Sequence, residues 1–308
     1  MQSAKLNATS FLAPKYWPTW FGLGVLRLLA LLPYRMQMKI GQFLGYISYK
    51  LMPTRRSIVQ TNIRICFPSL SENEREALVK KAFASTGMAV LEVGISWWAS
   101  KSLIKKLHKV EGIEHLNSAL AENKGVILLV SHFTTMEIAG TFIGTHIDNF
   151  KVVYKYSHNP LFEWFMQKKR LKNCAGLLQH KNLRDIIRSI KQGDVVWYSP
   201  DQDFGHKDSI FAPFMGVSTC TLLSTQKLAK ITQAPVVPFY VERDANLNGY
   251  TIRFSPALDN FPTDDAVADA TKINTAIEQQ IIKTPEQYLW AHRRFKSRPP
   301  GEENFYVK

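Results

Sequence analysis

The sequence GVILLVSHFTTMEIAG, residues 125–140, combines a buried strand, a short turn and the start of a helix. Residues 126–130 form a continuous apolar run rich in β-branched side chains, which is typical of a strand buried on both faces of a parallel sheet. Polar residues follow, including His132 and two threonines that can cap a helix. Because ligands bind at the carboxyl ends of strands in open α/β sheets, we expect His132 and Glu137 to lie at a functional site.

The five-residue spacing of His132 and Glu137 limits how the two side chains can meet. On a regular helix, with 3.6 residues per turn, they would point roughly 140° apart. They can meet only if His132 lies on the turn before the helix and Glu137 lies in its first turn. The carboxylate would then orient one imidazole nitrogen, and the other nitrogen could take a proton from a hydroxyl group. The alternative is a surface histidine beside a glutamate that caps a helix.

The composition of the 308-residue chain is that of a globular protein with an unusual charge. Hydrophobic residues make up 45% and charged residues 21%, but the formal net charge is +14. This charge predicts an anionic partner: nucleic acid, acidic lipid, a phosphorylated substrate or an acidic protein. The chain has three cysteines, an odd number without metal-ligand spacing: Cys66, Cys174 and Cys220. This pattern predicts no disulfide framework and favours a reducing compartment.

An apolar run near the N-terminus predicts contact with a membrane. Between Pro18 and Pro33 only Thr19 and Arg27 are polar, and the 14 residues fall short of the roughly 20 needed to cross a bilayer. Aromatic residues crowd its start, as at a membrane interface. We therefore interpret residues 1–33 as an interfacial or marginally spanning anchor, the alternative being a buried N-terminal helix. If the run spans, the basic residues after it place the body of the protein in the cytoplasm.

The rest of the chain changes from a helical to an α/β pattern near residue 110. Residues 34–109 form a helical region, with a long helix that starts within residues 69–74 and continues to about Trp98. Residues 110–308 alternate predicted strands and helices, so the fold class is α/β, a mixed and mostly parallel sheet flanked by helices. Residues 34–308 are predicted to form one compact unit. The predicted strands are 126–130, 152–156, 195–198, 236–241 and 250–254, and the predicted helices are 137–145, 161–172, 183–191, 221–231 and 266–282.

Two further clusters can carry chemistry. Arg170 ends a basic run at a predicted helix C-terminus, where it either complements the helix dipole or holds a phosphate or a developing oxyanion. Asp201, Gln202 and Asp203 follow a predicted strand, where they can bind a ligand, although turn formation explains them nearly as well. No further ligand cluster supports a metal there. The apolar loop 211–216 is a candidate wall of an acyl-chain pocket.

Basic and aromatic residues alternate near the C-terminus, where Arg293, Arg294 and Lys296 are candidates for an anion clamp. Nucleic acid binding or an ordinary solvated basic face would also explain this pattern. The chain lacks the G-x-S-x-G motif, the Walker loop, G-x-G-x-x-G and zinc-ligand spacings, which argues against a serine hydrolase, an NTPase and a dinucleotide enzyme.

Taken in order, these residues resemble the late (secondary) acyltransferases of lipid A biosynthesis, the lauroyl and myristoyl transferases. The H-x-x-x-x-D/E motif is shared with glycerolipid acyltransferases, whereas the ordered set is more specific and covers almost the whole chain. One departure is that the acid is Glu137, where relatives of this fold often have aspartate. The matching residues are Trp17, Pro18, Trp20, Arg55, Arg56, Asn62, 66–68, 111–116, Ser131, His132, Phe133, Glu137, Asn159, Pro160, Arg170, 201–203, Gly205, 211–216, Thr219 and 285–296.

The resemblance implies an acyltransferase at the cytoplasmic face of the bacterial inner membrane. It implies acyl carrier protein as the donor's carrier and a hydroxyl on a Kdo-modified lipid A precursor as acceptor, with no metal, nucleotide or nucleic acid. His132, oriented by Glu137, would be the general base, with Arg170 or backbone N–H groups at the oxyanion. The net charge suits an acidic carrier protein, an anionic lipid A precursor and a membrane surface, with Arg293, Arg294 and Lys296 as phosphate contacts.

Two other functions fit part of the sequence. A related acyltransferase could act on another glycolipid or a glycerolipid. A non-catalytic basic protein that binds anionic lipid or nucleic acid would explain the charge and the N-terminal run, but not a histidine and an acid placed directly after a buried strand.

Overall fold

A computed structural model describes residues 7–306, and its helices agree well with the periodicity of the sequence. The first five helices precede most of the sheet, and the others alternate with its strands. The α-helices of the described residues are α1 (Trp17–Leu29), α2 (Tyr34–Leu51), α3 (Pro53–Cys66), α4 (Glu72–Trp98), α5 (Lys101–Leu107), α6 (Ile113–Leu120), α7 (Met136–Ile143), α8 (Pro160–Arg170), α9 (Leu183–Lys191), α10 (Ser224–Thr232) and α11 (Ala266–Lys283).

Within residues 7–306, seven strands form one mixed sheet in the order β1-β9-β8-β2-β5-β3-β4. Neighbouring strands pair in parallel except β8 and β9, which are antiparallel, so the predicted fold class is confirmed. β6 and β7 form a separate antiparallel hairpin. The strands are β1 (His108–Glu111), β2 (Val126–Leu129), β3 (Phe150–Tyr154), β4 (Gly176–Gln179), β5 (Val195–Tyr198), β6 (Ser209–Phe214), β7 (Val217–Leu222), β8 (Val236–Arg243) and β9 (Tyr250–Phe254).

The hydrophobic core lies on both faces of the sheet. On one face, Val126 and Leu128 of β2 pack in a cluster with α7 and with the second half of α4. On the other face, Ile127 and Leu129 pack with α9, α10 and α11. Every residue of β2 is therefore buried, as the continuous apolar run predicts. The carboxyl end of β2 is consequently fixed from both sides, and it is here that the candidate site begins.

Glycines allow α2 and α4 to cross at very short range. Gly41 and Gly45 of α2 face Gly87 of α4, and a Cβ atom added at Gly87 would collide with the backbone of both α2 glycines. This close contact lets α2 pack directly on α4, whose buried side chains belong to both core clusters. At its start, α4 has a capping box, in which Ser71 and Glu74 satisfy each other's backbone N–H groups.

Some predicted elements differ from the structure. The predicted helix 221–231 begins only at Ser224, because Thr221 still belongs to β7. Residues 211–216 lie in the β6–β7 hairpin rather than in a loop, and none of them lines the main cavity. The short strands β1 and β4 were not predicted, since their residues are partly polar and only half-buried.

The predicted anchor, residues 1–33, contains α1, while residues 1–6 lie outside the described part. Among residues 7–306 no helix has the length and apolar character needed to span a bilayer. α1 nevertheless exposes large apolar side chains, with Trp17 63%, Phe21 75% and Leu28 66% accessible. The outward face of this helix is therefore apolar.

Candidate active site

His132 lies directly beyond the carboxyl end of β2, on the turn before α7. Its imidazole is 24% exposed and lines the main cavity. The backbone of this turn is fixed, because the His132 carbonyl accepts a hydrogen bond from the N–H of Leu289 at 2.9 Å. Phe133 forms a β-bridge with Tyr288. The histidine is thus fixed at the edge of the sheet, as predicted.

Asp201 is the acid that orients His132. One carboxylate oxygen, Oδ1, lies 2.6 Å from Nδ1 of His132, and the other, Oδ2, accepts the backbone N–H of the same residue at 2.8 Å. Oδ2 also accepts the hydroxyl of Tyr288 at 3.0 Å, and the Asp201 side chain is fully buried. With Nδ1 bound to the acid, Nε2 is the nitrogen left for a substrate.

The buried carboxylate also stabilises the charged form of the imidazole. Burial alone would lower the pKa of His132, but the charge of Asp201 and its hydrogen bond outweigh burial, so the pKa lies above its usual value. Burial likewise opposes ionisation of Asp201, and His132 more than compensates, which lowers the pKa of the acid. The pair therefore favours an imidazolium facing a carboxylate, the state that a general base reaches after it takes a proton.

Glu137 does not contact His132, so the predicted His132–Glu137 hydrogen bond is wrong. Glu137 lies in the first turn of α7 as expected, but its carboxylate binds Arg170, with Nη2 to Oε2 at 2.5 Å and Nε to both oxygens at 3.2 Å. It also accepts the indole N–H of Trp97 at 2.9 Å. The side chain points toward α4 and α8, because residues five apart face different directions across the turn.

Arg170 keeps one donor group free in this arrangement. Nε and Nη2 are used by Glu137, and no protein acceptor for Nη1 is found within residues 7–306. The guanidinium lines the same cavity as His132. Burial would lower its pKa, but Glu137 raises it overall, so Arg170 is a fixed cation in the lining of this cavity.

The other predicted site residues have mixed positions. Gln202 lines the cavity. Asp203 is buried and binds the backbone N–H and hydroxyl of Ser297, so it fastens the C-terminal segment rather than facing a ligand. Arg293 and Lys296 are exposed, outside the lining of the main cavity.

Arg294 is not available as a phosphate contact. It is 2% exposed, donates to the carbonyl of Cys220 at 2.7 Å and lies over the ring of Phe214. The central residue of the predicted anion clamp therefore cannot contact a substrate. Buried and exposed positions are mixed in this segment, so Arg294 is buried between the exposed Arg293 and Lys296.

Tyr288, Trp97 and His292 make contacts at the site that were not predicted from the sequence. Burial lowers the pKa of His292 to about 4, and its neutral Nε2 accepts the backbone N–H of Asp203 at 3.1 Å. All three are distant in sequence from the His132 turn, and although Tyr288 and His292 belong to the matched segment 285–296, the sequence assigns them no contact with His132 or Asp203. Among residues 7–306, no three His, Cys, Asp or Glu side chains are grouped closely enough to hold a metal ion.

The cavity beside His132 has a volume of about 930 Å³, at the upper end of the range of roughly 300–1,000 Å³ usual for small-molecule sites. The lining combines polar groups, among them His132 and Arg170, with many aliphatic and aromatic side chains. The lining includes Trp97, Met136, Gly140, Val152, Val153, Met166, Ile187, Leu228 and Ile231. Fold and site together define an α/β protein with a buried acid–histidine pair that opens into a large apolar cavity.

Comparison with known proteins identifies the family to which this protein belongs. The family described as bacterial lipid A biosynthesis acyltransferase matches residues 5–297. The chain is 38% identical over 298 residues to the lipid A biosynthesis palmitoleoyltransferase of Escherichia coli K12, covering 96% of this chain and 97% of the relative. It is 37% identical to the lauroyltransferase of the same strain, over 97% and 98% of the two chains. Identity to the myristoyltransferase of this strain is 29%, over 97% and 93%.

The chain therefore belongs to the bacterial lipid A biosynthesis acyltransferases, and it is an acyltransferase enzyme. The resemblance predicted from the ordered residues is confirmed.

Proposed function

We propose that the enzyme transfers a fatty acyl chain, of the lauroyl or myristoyl class, from acyl carrier protein to a hydroxyl on an acyl chain of a Kdo-modified lipid A precursor. His132 acts as general base, and Asp201 replaces Glu137 as the acid that orients it. The observation that carries this proposal is the 2.6 Å contact between Nδ1 of His132 and Asp201 at the edge of the apolar cavity.

In the proposed step, Nε2 of His132 takes the proton of the acceptor hydroxyl while that oxygen attacks the thioester carbonyl carbon. A C–O bond forms, and the carbonyl oxygen becomes an oxyanion. The tetrahedral intermediate then collapses, the C–S bond breaks, and the thiolate of the pantetheine arm leaves with the proton returned by His132. The buried carboxylate of Asp201 stabilises the imidazolium that exists between these two transfers.

Arg170 is the group best placed to stabilise the oxyanion. Its Nη1 has no protein acceptor within residues 7–306, and the guanidinium is fixed from the other side by Glu137, whose carboxylate also accepts the indole N–H of Trp97. Glu137 is then a positioning residue, because it acts through Arg170. A preorganised donor of this kind stabilises charge that develops only in the transition state.

Exposed lysines on the rim of the cavity support an acidic donor partner. Lys155, Lys181 and Lys207 line the rim, and none of them forms a salt bridge with another residue of the range 7–306. Unpaired cations at the mouth of a site attract acidic surfaces and phosphate groups. They fit an acidic carrier protein whose pantetheine arm carries a phosphate.

The apolar face of α1 supports a membrane-held acceptor. Trp17, Phe21 and Leu28 are exposed, and α1 packs through Leu23 against Trp97 and Met166, which line the cavity. One packed apolar cluster therefore separates the exposed face of α1 from the cavity, so a membrane contacted by α1 would lie next to the site. We place the enzyme at the cytoplasmic face of the bacterial inner membrane, where the anionic lipid surface suits its net charge of +14.

The experiment is acyl transfer by purified protein in detergent, with acylated carrier protein and the Kdo-modified precursor. His132→Ala should lower kcat by about 10²–10⁴-fold, as expected for the loss of a general base. Near-normal turnover by His132→Ala would overturn the mechanism. Transfer to a glycerolipid but not to the lipid A precursor would overturn the proposed acceptor and leave the chemistry in place.

A further inference from the structure

The cavity extends onto both faces of the sheet. Side chains alternate along β3, so Val152 packs with the cluster that contains α7, and Val153 packs with the cluster that contains α9 and α10. Both residues line the cavity. The same division occurs on β5, where Trp197 belongs to the first cluster and Tyr198 to the second, and both again line the cavity. The space therefore wraps around the carboxyl edge of these strands.

The lining therefore divides into two lobes, one on each face of the sheet, and His132 lines the same cavity from the carboxyl end of β2, the neighbour of β5. The α7 lobe is lined by Met136, Gly140, Val152 and Cys174. The α10 lobe is lined by Val153, Ile187, Leu228 and Ile231.

We propose that the two lobes hold two different alkyl chains, the donor chain in the α10 lobe and the acceptor chain in the α7 lobe. This assignment rests on the proposed function, in which an acyl chain is joined to a hydroxyl on another acyl chain. The hydroxyl of the acceptor chain must reach Nε2 of His132, and the thioester carbonyl carbon of the donor must lie next to that hydroxyl, while both apolar tails remain out of water. Separate lobes on opposite faces of a sheet meet that requirement without placing both tails in one channel.

The surroundings of each lobe decide which chain it holds. The α7 lobe adjoins Trp97 and Met166, which pack with Leu23 of α1, the helix whose outer face exposes large apolar side chains. A lipid acceptor arriving from a membrane surface would enter on this side. It also contains the Glu137–Arg170 pair, since Glu137 belongs to α7.

The α10 lobe is bordered by cations instead. Lys181 follows β4, Lys207 precedes β6, and Lys227 lies on α10, where it pairs with Asp208. A donor carried by an acidic, phosphate-bearing partner would enter on this side. The walls of the α10 lobe then limit the length of the donor chain.

The chain offers one clean probe for each lobe. A Cβ added at Gly140 meets no atom within 4 Å, so a larger side chain there enters open space without moving the backbone. Gly140→Leu therefore fills the α7 lobe. Ile187→Phe fills the α10 lobe, and Ile282→Phe is its matched control, because Ile282 is 62% exposed on α11 and outside the cavity lining.

The measurement is transfer from carrier protein loaded with saturated chains from octanoyl to palmitoyl, together with KM for the lipid A precursor. Ile187→Phe should lower kcat/KM for the longest donors by about tenfold or more, since one methylene in an apolar pocket changes discrimination by roughly 10–200-fold. Its KM for the acceptor should not change. Gly140→Leu should raise KM for the acceptor by about tenfold and leave the ranking of donor chains unchanged.

A shortened donor range in Gly140→Leu, or an unchanged range in Ile187→Phe, would overturn the assignment. A similar loss in Ile282→Phe would also overturn it, because the effect would then not come from the lobe. Wild-type protein that transfers no chain to the precursor would refute the proposed function itself, and the assignment with it. Melting temperatures of all three variants show whether each one is folded.

Discussion

His132 and Asp201 occupy equivalent positions beyond the carboxyl ends of two neighbouring parallel strands. Leu129 of β2 pairs with Tyr198 of β5, and each site residue lies three positions beyond its member of that pair. The register of the sheet therefore brings the two residues side by side, where Nδ1 and Oδ1 are 2.6 Å apart. Glu137 is nearer in sequence but lies on the far side of the turn. Strand pairing, rather than spacing along the sequence, therefore determines which acid contacts the histidine.

Replacing Arg170 should slow the chemical step. Arg170→Lys keeps a positive charge beside Glu137 but loses the fixed donor geometry of the guanidinium. We expect kcat to fall by about 10²–10³-fold with little change in KM, as for the loss of one oxyanion donor. Lys168→Ala, two positions away on the exposed side of α8, is the control and should retain activity. Equal kcat values for Arg170→Lys and wild type would show that the Arg170 guanidinium does not stabilise the oxyanion.

The fold depends on a buried ion pair beneath the His132 turn. Arg243 binds Glu92 through Nε at 2.6 Å and through Nη2 at 2.9 Å, and both side chains are 2% exposed or less. Nη1 of Arg243 donates to Ser85, whose hydroxyl shares a 2.7 Å hydrogen bond with that of Thr134, two residues after His132.

Removing one partner of this pair should be strongly destabilising, because it leaves the other charge buried and alone. We expect Glu92→Gln to lower the free energy of unfolding by about 3–5 kcal/mol, measured by urea denaturation. The double variant Glu92→Met/Arg243→Met should be more stable than either single Met variant, since no unpaired charge remains. A double variant no more stable than its singles would show that the cost is not electrostatic.

The α2–α4 crossing should tolerate no side chain at its closest point. Gly87→Val would place its side chain against the backbone of Gly41 and Gly45, which cannot move without separating the helices. We expect α2 to detach, and proteolysis to cut the chain between α1 and α3. Gly22→Val is the control, because a Cβ there meets no atom within 4 Å. Equal protease resistance of the Gly87 and Gly22 variants would contradict the close packing.

The C-terminal basic residues should separate into structural and surface roles. Arg294→Met should destabilise the protein, because the buried guanidinium holds the carbonyl of Cys220. Arg293→Ala and Lys296→Ala should leave the melting temperature within about 1 °C, since exposed substitutions usually change stability by less than ±0.5 kcal/mol. If either of these exposed residues binds a substrate phosphate, its KM for the lipid A precursor will rise with no change in stability. An unchanged KM in both variants would remove this segment from substrate binding.

Much of the fold was predictable because periodic apolar patterns persist over several turns or strands. The long helix α4 has a capping box at Ser71 that fixes its start, and β2 is apolar throughout. The short strands β1 and β4 lack such patterns, because they are the two opposite edge strands of the sheet and their residues are mostly half-buried.

The site was predictable in its position but not in its pairing. The end of a buried strand identifies His132, and a second strand end identifies Asp201, but only the strand order β2-β5 shows that they are neighbours. Sequence spacing favoured Glu137, whose actual partners, Arg170 and Trp97, come from two other helices. Long-range pairing of this kind has no local signature in the chain.

The most direct test is the pH dependence of kcat for the wild type, Asp201→Asn and Glu137→Gln. Asp201 raises the pKa of His132, so in the wild type the rate should be lost, as pH falls, with an apparent pKa above 6.5. We expect Asp201→Asn to move this acid limb to lower pH and to lower the plateau by about 10⁴-fold or less. Glu137→Gln should leave the limb in place. A limb that moved in Glu137→Gln and stayed in Asp201→Asn would contradict the assignment of Asp201 as the partner of the catalytic histidine.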